Sequence, residues 1–222
     1  MWRALRTPGL VPDEQELIVV GPTLDADRVL SAYAHGLFPM GTGRSGRPPM
    51  GWWSPNPRGV ILPGGLKVSR SLRKSARRFE VTCDEDFVGV VRGCAYPLRR
   101  GRWITSDIAA TYAELHRRGH AHSIEVRLEG RLVGGLYGLA IGGFFAGESM
   151  FHRVPDASKV ALVALVERVL PPDDPHRLLD VQWLTPHLAS LGAVELGRLD
   201  YLRRLQAALE RPASPLLRRT TP

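Results

Sequence analysis

The chain has 222 residues, 30 Lys and Arg against 22 Asp and Glu, a formal net charge of +8, and 44% hydrophobic residues. That apolar share supports a real core, in one large domain or a core domain with an appendage, and no apolar run approaches the roughly 20 residues of a membrane span. Two cysteines, Cys83 and Cys94, without Cys-x-x-Cys spacing exclude a disulfide scaffold and a zinc ribbon, so a reducing cytoplasm is the expected compartment.

Residues 1–22 read as irregular, with a short strand expected at Leu17–Val20; Pro8, Pro12, Asp13, Glu14 and Glu16 interrupt any signal-peptide apolar region. A helix starts at a cap on Thr23 or Asp25, runs to about Ala34 and stops at Gly36. Residues 41–51 form a mobile loop of Gly, Arg, Ser and Thr closing with Pro48-Pro49-Met50-Gly51. The aromatic, proline-rich Trp52-Trp53-Ser54-Pro55-Asn56-Pro57-Arg58 and the apolar Gly59–Leu62 come next. Pro63-Gly64-Gly65 marks the expected boundary between a small N-terminal domain, 1–62, and the main domain, 63–222. That domain opens with a basic helix near 70–78, a strand at Phe79–Cys83 and a helix over Phe87–Cys94. The basic loop Arg99-Arg100-Gly101-Arg102 precedes Trp103, and a helix at about Asp107–Arg118 ends at Gly119, a left-handed C-cap.

The stretch from Ser123 to Gly192 is the organising unit. Ser123–Leu128 alternates polar and apolar, as a half-buried strand does, and Glu129-Gly130 turns the chain into Arg131-Leu132-Val133. Gly142–Phe151 reads as a further strand whose glycines mark a bulge or a close approach. Asp156 caps a long helix with a wide apolar face, including Val160, Val163, Leu165, Val166, Val169 and Leu170. A last strand carries Asp180-Val181-Gln182, followed by short helices at Pro186–Leu191 and Tyr201–Leu209 and a frayed tail from Arg211.

Asp180 and Gln182 share one strand face, and their apolar neighbours Leu178, Leu179, Val181 and Trp183 mean that a carboxylate and an amide there need partners. They read either as a pair orienting a nucleophile or as a structural polar network at a strand end. Glu148, in Gly147-Glu148-Ser149-Met150-Phe151, is a carboxylate for a cationic group or an ion-paired glutamate. Gly119 breaks the helix between His116 and His120-x-His122, so these histidines cannot share a helical face as metal ligands, and no metal is expected. Trp52, Trp53 and Trp103 lie beside loops, placed either to stack on a base or to fill a core. Lys67, Arg70, Arg73, Lys74, Arg77 and Arg78 fall within twelve residues at threefold and fourfold spacings, several on one helical face. Arginine's planar fork grips phosphate in two places, and a polyanionic partner follows. The chain lacks G-x-x-x-x-G-K-[ST] and G-x-S-x-G, and phosphates are expected to be met by arginines and not by a glycine cradle.

Several runs together resemble the bacterial leucyl/phenylalanyl-tRNA–protein transferases. They are Gly36-Leu37-Phe38-Pro39, the Trp52–Arg58 run, Gly101-Arg102-Trp103-Ile104-Thr105, Leu115–Glu125 and Leu132–Gly138, then Gly147–Phe151, Ala157-Ser158-Lys159, and Asp180-x-Gln182 with Ala189–Ala193. They occur in family order over about residues 23–202. The resemblance implies an α+β fold: a small N-terminal domain on a GNAT-like domain with a mixed, splayed central sheet flanked by helices. It implies transfer of leucine or phenylalanine from leucyl-tRNA or phenylalanyl-tRNA to the α-amine of proteins beginning with Arg or Lys, marking them for degradation. No cofactor, ATP, metal or membrane is implied, and a monomer is expected.

Carried over position by position, Asp180 and Gln182 match the catalytic pair and Glu148 an acidic residue near the acceptor site. Leu136, Phe145, Met150, Leu162, Leu165 and Leu179 match positions lining the pocket for the transferred side chain. Trp103 matches an aromatic that packs on the tRNA's terminal adenosine, and Met40 stands where the family usually has Trp, its thioether able to lie on a ring face. Arg70, Arg73, Lys74, Arg77, Arg78, Arg100 and Arg102 would hold the tRNA backbone. In one account Gln182 accepts a hydrogen bond from the amine while Asp180 fixes the Gln182 amide or takes the proton through it or a water; in another the tRNA's 2′-hydroxyl shuttles the proton. Two rivals stand beside this reading. An acyl-CoA N-acyltransferase would need a glycine-bearing pyrophosphate loop where Arg153-Val154-Pro155-Asp156-Ala157-Ser158 stands, and a basic RNA-binding module would need no Asp180-x-Gln182.

Overall fold

Helix starts are set by short polar side chains. The computed structural model describes residues 14–21, 24–96 and 103–217; the alternative cap Thr23 and the loop 99–102 lie outside them. Asp25 accepts from the Arg28 N–H at 2.8 Å and opens α1 (Ala26–Tyr33). Ser69 opens α2 (Arg70–Ala76), Asp86 opens α3 (Phe87–Cys94) and Thr105 opens α4 (Ser106–Arg117) in the same way. Such caps stabilise by about 1 kcal/mol each. Asp156 behaves differently. It precedes α5 (Ala157–Val169) with φ at 69°, its side chain makes no cap bond, and its carboxylate accepts from Lys159 Nζ at 3.0 Å.

Near the N-terminus, β1 (Leu17–Gly21), β2 (Phe38–Gly41) and β3 (Met50–Trp53) make an antiparallel sheet with β3 in the middle. The expected 41–51 loop is therefore a hairpin connection whose ends are strand. Gly36 has φ at +84°, and a Cβ there would meet Leu202 at 2.6 Å, so only glycine fits beneath the C-terminal helix.

The large sheet has the order β10-β4-β9-β8-β7-β6-β5, built from β4 (Arg58–Ile61), β5 (Glu80–Cys83), β6 (Ala121–Leu128), β7 (Arg131–Ile141), β8 (Phe144–His152), β9 (Leu178–Gln182) and β10 (Val194–Leu196). Every pairing is antiparallel except β8 with β9, which α5 connects. The mixed sheet flanked by helices, with a small N-terminal unit, is the α+β layout that the sequence resemblance implies. Strand β4 falls inside the 1–62 unit read from sequence, yet it hydrogen-bonds to β9 and β10 in the large sheet.

Both faces of this sheet are covered. Phe144 and Leu178 face one core with Tyr33, Tyr112 and Tyr201, while Phe145 and Leu179 face the other with Leu162 and Leu165 of α5. Alternation along β6 consequently does not mark a wet face: Ser123 and Glu125 are fully buried. Glu125 accepts from the Ser123 and Thr82 hydroxyls, and Asp84 accepts from the Ser123 N–H at 2.8 Å, satisfying the polar groups that alternation would have exposed. Gly142-Gly143 forms the turn between β7 and β8, so β8 starts at Phe144, two residues later than the strand read from sequence. Helices α6 (Pro186–Ser190) and α7 (Arg198–Leu209) close the fold, α7 starting one turn before its expected first residue.

Candidate active site

Strands β8 and β9 stay paired only from Phe144 and Leu178 to Ala146 and Asp180. Beyond that pair a cavity of about 400 Å³ opens, lined from β8 by Gly147–Met150 and from β9 by Val181 and Gln182. An irregularity on each strand aims a side chain into it. On β8 the register steps from Tyr137–Ser149 to Gly138–Gly147, leaving Glu148 as the extra residue. On β9 it steps from Gly59–Gln182 to Val60–Asp180, leaving Val181 as the extra one. Gln182 sits there with φ at +60°. Bulges of this kind re-aim side chains next to functional sites.

Asp180 does not line the cavity. Its carboxylate is fully buried and saturated: Oδ1 accepts from Arg58 Nε at 2.9 Å and from the Gln182 backbone N–H at 2.9 Å. Oδ2 accepts from the second Arg58 nitrogen at 2.7 Å and from the Tyr201 hydroxyl at 2.9 Å. Arg58 also donates to the Gly36 carbonyl at 3.1 Å, and its guanidinium lies 4.9 Å from the Phe38 ring centre and 4.7 Å from that of Tyr201. Burial alone would lower the Arg58 pKa, but Asp180 offsets this and holds it above its ordinary value. Burial likewise pushes the Tyr201 phenol well up, so it remains a donor. Asp180 thus grips Gln182 by the backbone and not by the side-chain amide. The bulge at Val181 breaks the two-residue alternation that would have turned both side chains the same way.

Gln182 is 8% exposed, and its Nε2 has no hydrogen-bond partner among the described residues. Glu148 accepts from the Tyr33 hydroxyl and is also hydrogen-bonded by Tyr112. Burial pushes its carboxyl up to about 7, against the pull of those two hydroxyls.

Leu136, Met150, Leu162, Leu165 and Leu179 line the apolar wall of the cavity, while Trp103 and Met40 stand with Phe38 and Trp183 on another side. Phe145 is outside the lining; its ring packs over Gly138, where a Cβ would meet it at 2.3 Å. Arg70, Arg73, Lys74, Arg77 and Arg78 are exposed on and just after α2, and among the described residues none makes an ion pair. Arg100 and Arg102 lie outside the described residues. His122 bonds to Asp84 at 2.6 Å, and His116 stacks on Phe87 with ring centres 4.2 Å apart.

A family model for the leucyl/phenylalanyl-tRNA protein transferase matches residues 60–206, and the model for that family's N-terminal domain matches residues 23–56. A relative from Shewanella oneidensis, named leucyl/phenylalanyl-tRNA–protein transferase, is 44% identical over 209 residues, covering 92% of this chain and 86% of its own. One of the same name from Solidesulfovibrio magneticus is 48% identical over 201 residues, covering 87% and 78%. The chain belongs to the leucyl/phenylalanyl-tRNA–protein transferase family. A solved ribosomal-protein-alanine N-acetyltransferase from Brucella melitensis aligns at 16% identity and a TM-score of 0.34 over 51% of this chain and 84% of that one, too loosely to argue from.

In this leucyl/phenylalanyl-tRNA–protein transferase family member, the residues that sequence reasoning missed are the partners. Arg58 ends the Trp52–Arg58 run and is followed by an apolar strand, a pattern in which a buried arginine implies a buried acid. Tyr33, Tyr112 and Tyr201 carry no comparable signal; each is one aromatic on a helix face that also reads as core.

Proposed function

We propose that this chain transfers leucine or phenylalanine from leucyl-tRNA or phenylalanyl-tRNA to the α-amine of proteins that begin with Arg or Lys, so marking them for degradation. The observation that carries this reading is the cavity at the β8–β9 splay, whose lining combines an apolar wall, the Gln182 amide with its unpartnered nitrogen and the part-buried Glu148 carboxylate. Leu136, Met150, Leu162, Leu165 and Leu179 accept the aminoacyl side chain, and Met150 gives the wall the adaptability to hold both Leu and Phe. The terminal adenosine rests against Trp103 and Met40, with the acceptor stem's phosphates on Arg70, Arg73, Lys74, Arg77 and Arg78.

The reaction turns an activated ester into an amide and runs downhill. An unperturbed α-amine, which titrates at about 7.7–8.0, is partly neutral at cellular pH, so alignment contributes much of the acceleration. Gln182 is the catalytic residue, its amide held at the ester by the backbone bond to Asp180. Asp180 is a positioning residue, since Arg58, Tyr201 and the Gln182 N–H occupy its oxygens. Glu148 supplies the negative charge for the basic acceptor residue. At the start of α5, Asp156 puts a carboxylate where an acyl-CoA enzyme would bind pyrophosphate, which disfavours that chemistry.

Among the described residues no helix is long and apolar enough to cross a membrane. We place the chain in the cytoplasm as a monomer, and its domain boundary just before Arg58, because β4 belongs to the large sheet. A competition assay among leucyl-, phenylalanyl- and valyl-tRNA tests the pocket. Leu and Phe should be favoured over Val by about 1–3 kcal/mol, the discrimination that an apolar wall provides. Equal use of all three would contradict the pocket assignment.

A further inference from the structure

Glu148 is the one ionisable side chain lining the cavity among the described residues. It makes no ion pair with any of them, and the cation whose charge reaches it, Arg58, is committed to Asp180 and the Gly36 carbonyl. Its partners are neutral. The Tyr33 hydroxyl donates to Glu148 Oε1, Tyr112 is hydrogen-bonded to the same carboxylate, and the two phenol oxygens lie 3.3 Å apart. One phenol comes from α1 and the other from α4, so two helices converge on a single carboxylate. Both rings are fully buried and wedged, Tyr33 at 6.3 Å from Phe144 and Tyr112 edge-on to Tyr137 at 5.4 Å. Burial pushes both phenols well above their ordinary values, which keeps them donors. A carboxylate held by neutral donors in an apolar cavity lacks its counter-ion.

We propose that Tyr33 and Tyr112 are specificity-determining residues that act through Glu148, fixing it to face the cavity so that a cationic acceptor residue is captured by displacing a proton from it. The inference rests on the transferase reading above and adds the means by which a basic first residue is chosen. An uncharged residue offers nothing to stabilise the part-buried anion and leaves the proton in place.

The groups facing Glu148 set the pH range. Burial raises its carboxyl to about 7; Tyr33 from α1 and Tyr112 from α4 pull it down, Asp180 from β9 pushes it up, and Arg58 from β4 pulls it down. A bound guanidinium or ammonium lowers it further. Below about pH 7 the free protein therefore holds a proton that the acceptor must expel, and acceptor affinity falls by about tenfold per pH unit. Above that point there is no proton to expel, and Glu148 adds no further pH dependence.

The test is binding of a short peptide with N-terminal Arg to the full chain, from pH 5.5 to 8.5, with calorimetry at pH 6 in two buffers of different ionisation enthalpy. Release of most of one proton and the tenfold slope are expected. Tyr33→Phe removes a donor to the anion, so the bend should move to higher pH, weakening the peptide at least threefold at pH 7 with recovery by pH 8.5. Tyr112→Phe should act in the same direction, with KM for leucyl-tRNA unchanged in both tyrosine variants, and Glu148→Gln should abolish both proton release and pH dependence. A flat wild-type profile, or a Tyr33→Phe defect equal at every pH, would overturn the inference and leave the phenols as packing. A wild type that binds the peptide with the expected slope yet transfers nothing would keep the inference and overturn the function.

Discussion

Replacing Asp180 by Asn keeps the side chain's shape but removes the charge that Arg58 faces. The two groups are both fully buried, with two hydrogen bonds at 2.7 and 2.9 Å, and the remaining lone pairs are taken by Tyr201 and the Gln182 N–H. Leaving one member of such a pair without its partner costs about 3–5 kcal/mol, because the surviving charge stays desolvated. Against a total stability of about 5–15 kcal/mol, the unfolded population should rise by two to three and a half powers of ten. Urea unfolding followed by tryptophan fluorescence measures this, with the m-value as a control on the denatured state. The double variant Asp180→Asn with Arg58→Met should be less destabilised than the sum of the two singles, since the second change removes the orphaned charge. A loss below about 1 kcal/mol in Asp180→Asn, or simple additivity in the double variant, would refute the reading of Asp180 and Arg58 as a mutually dependent buried ion pair.

Gln182→Gly should leave stability within about 1 kcal/mol of wild type, because glycine accepts the φ of +60° without strain, while transfer falls at least tenfold; thermal unfolding beside a transfer assay checks both. Glu148→Gln should be more stable than wild type at pH 8 and not at pH 5, read from urea midpoints. The raised carboxyl, about 7 when folded, destabilises the fold as pH climbs from its unfolded value through 7, whereas Gln stays neutral throughout. Neutralising Arg73, Lys74 and Arg77 together to Gln should lower the slope of log affinity for tRNA against log salt by about 0.7–0.9 for each phosphate no longer neutralised; an unchanged slope would take α2 out of the interface.

The helices were readable because their caps and apolar spacings are local: Asp25, the Phe87–Cys94 segment and Gly119 all stand where their side chains or backbone freedom predict. Strand β6 was readable from alternation and the first three residues of β7 from the Glu129-Gly130 turn, while β8 and β9 were expected as a glycine-marked strand and as a strand carrying Asp180-Val181-Gln182. What alternation could not show is that a polar position may be buried as deeply as its neighbours when another element brings the partner, as Thr82 and Asp84 do for Glu125 and Ser123. The same limit governs the candidate site. Asp180 and Gln182 stand out as polar residues in an apolar strand, but the extra residue at Val181 depends on a register with β4, over a hundred residues earlier, and so does the ion pair with Arg58. Tyr33 and Tyr112 reach Glu148 only through the packing of α1 on α4. Strand β10 is three residues long and exists by pairing with β4, so it left no period to read.

The most direct test of the central claim is transfer of labelled leucine from leucyl-tRNA to a peptide with N-terminal Arg, beside its acetyl-blocked twin and with Gln182→Ala in parallel. Label on the free peptide alone, lost in the variant, is the expected result. Label on neither peptide while tRNA remains bound would contradict the transferase reading and leave an RNA-binding protein; label persisting in the variant would remove Gln182 from the chemistry.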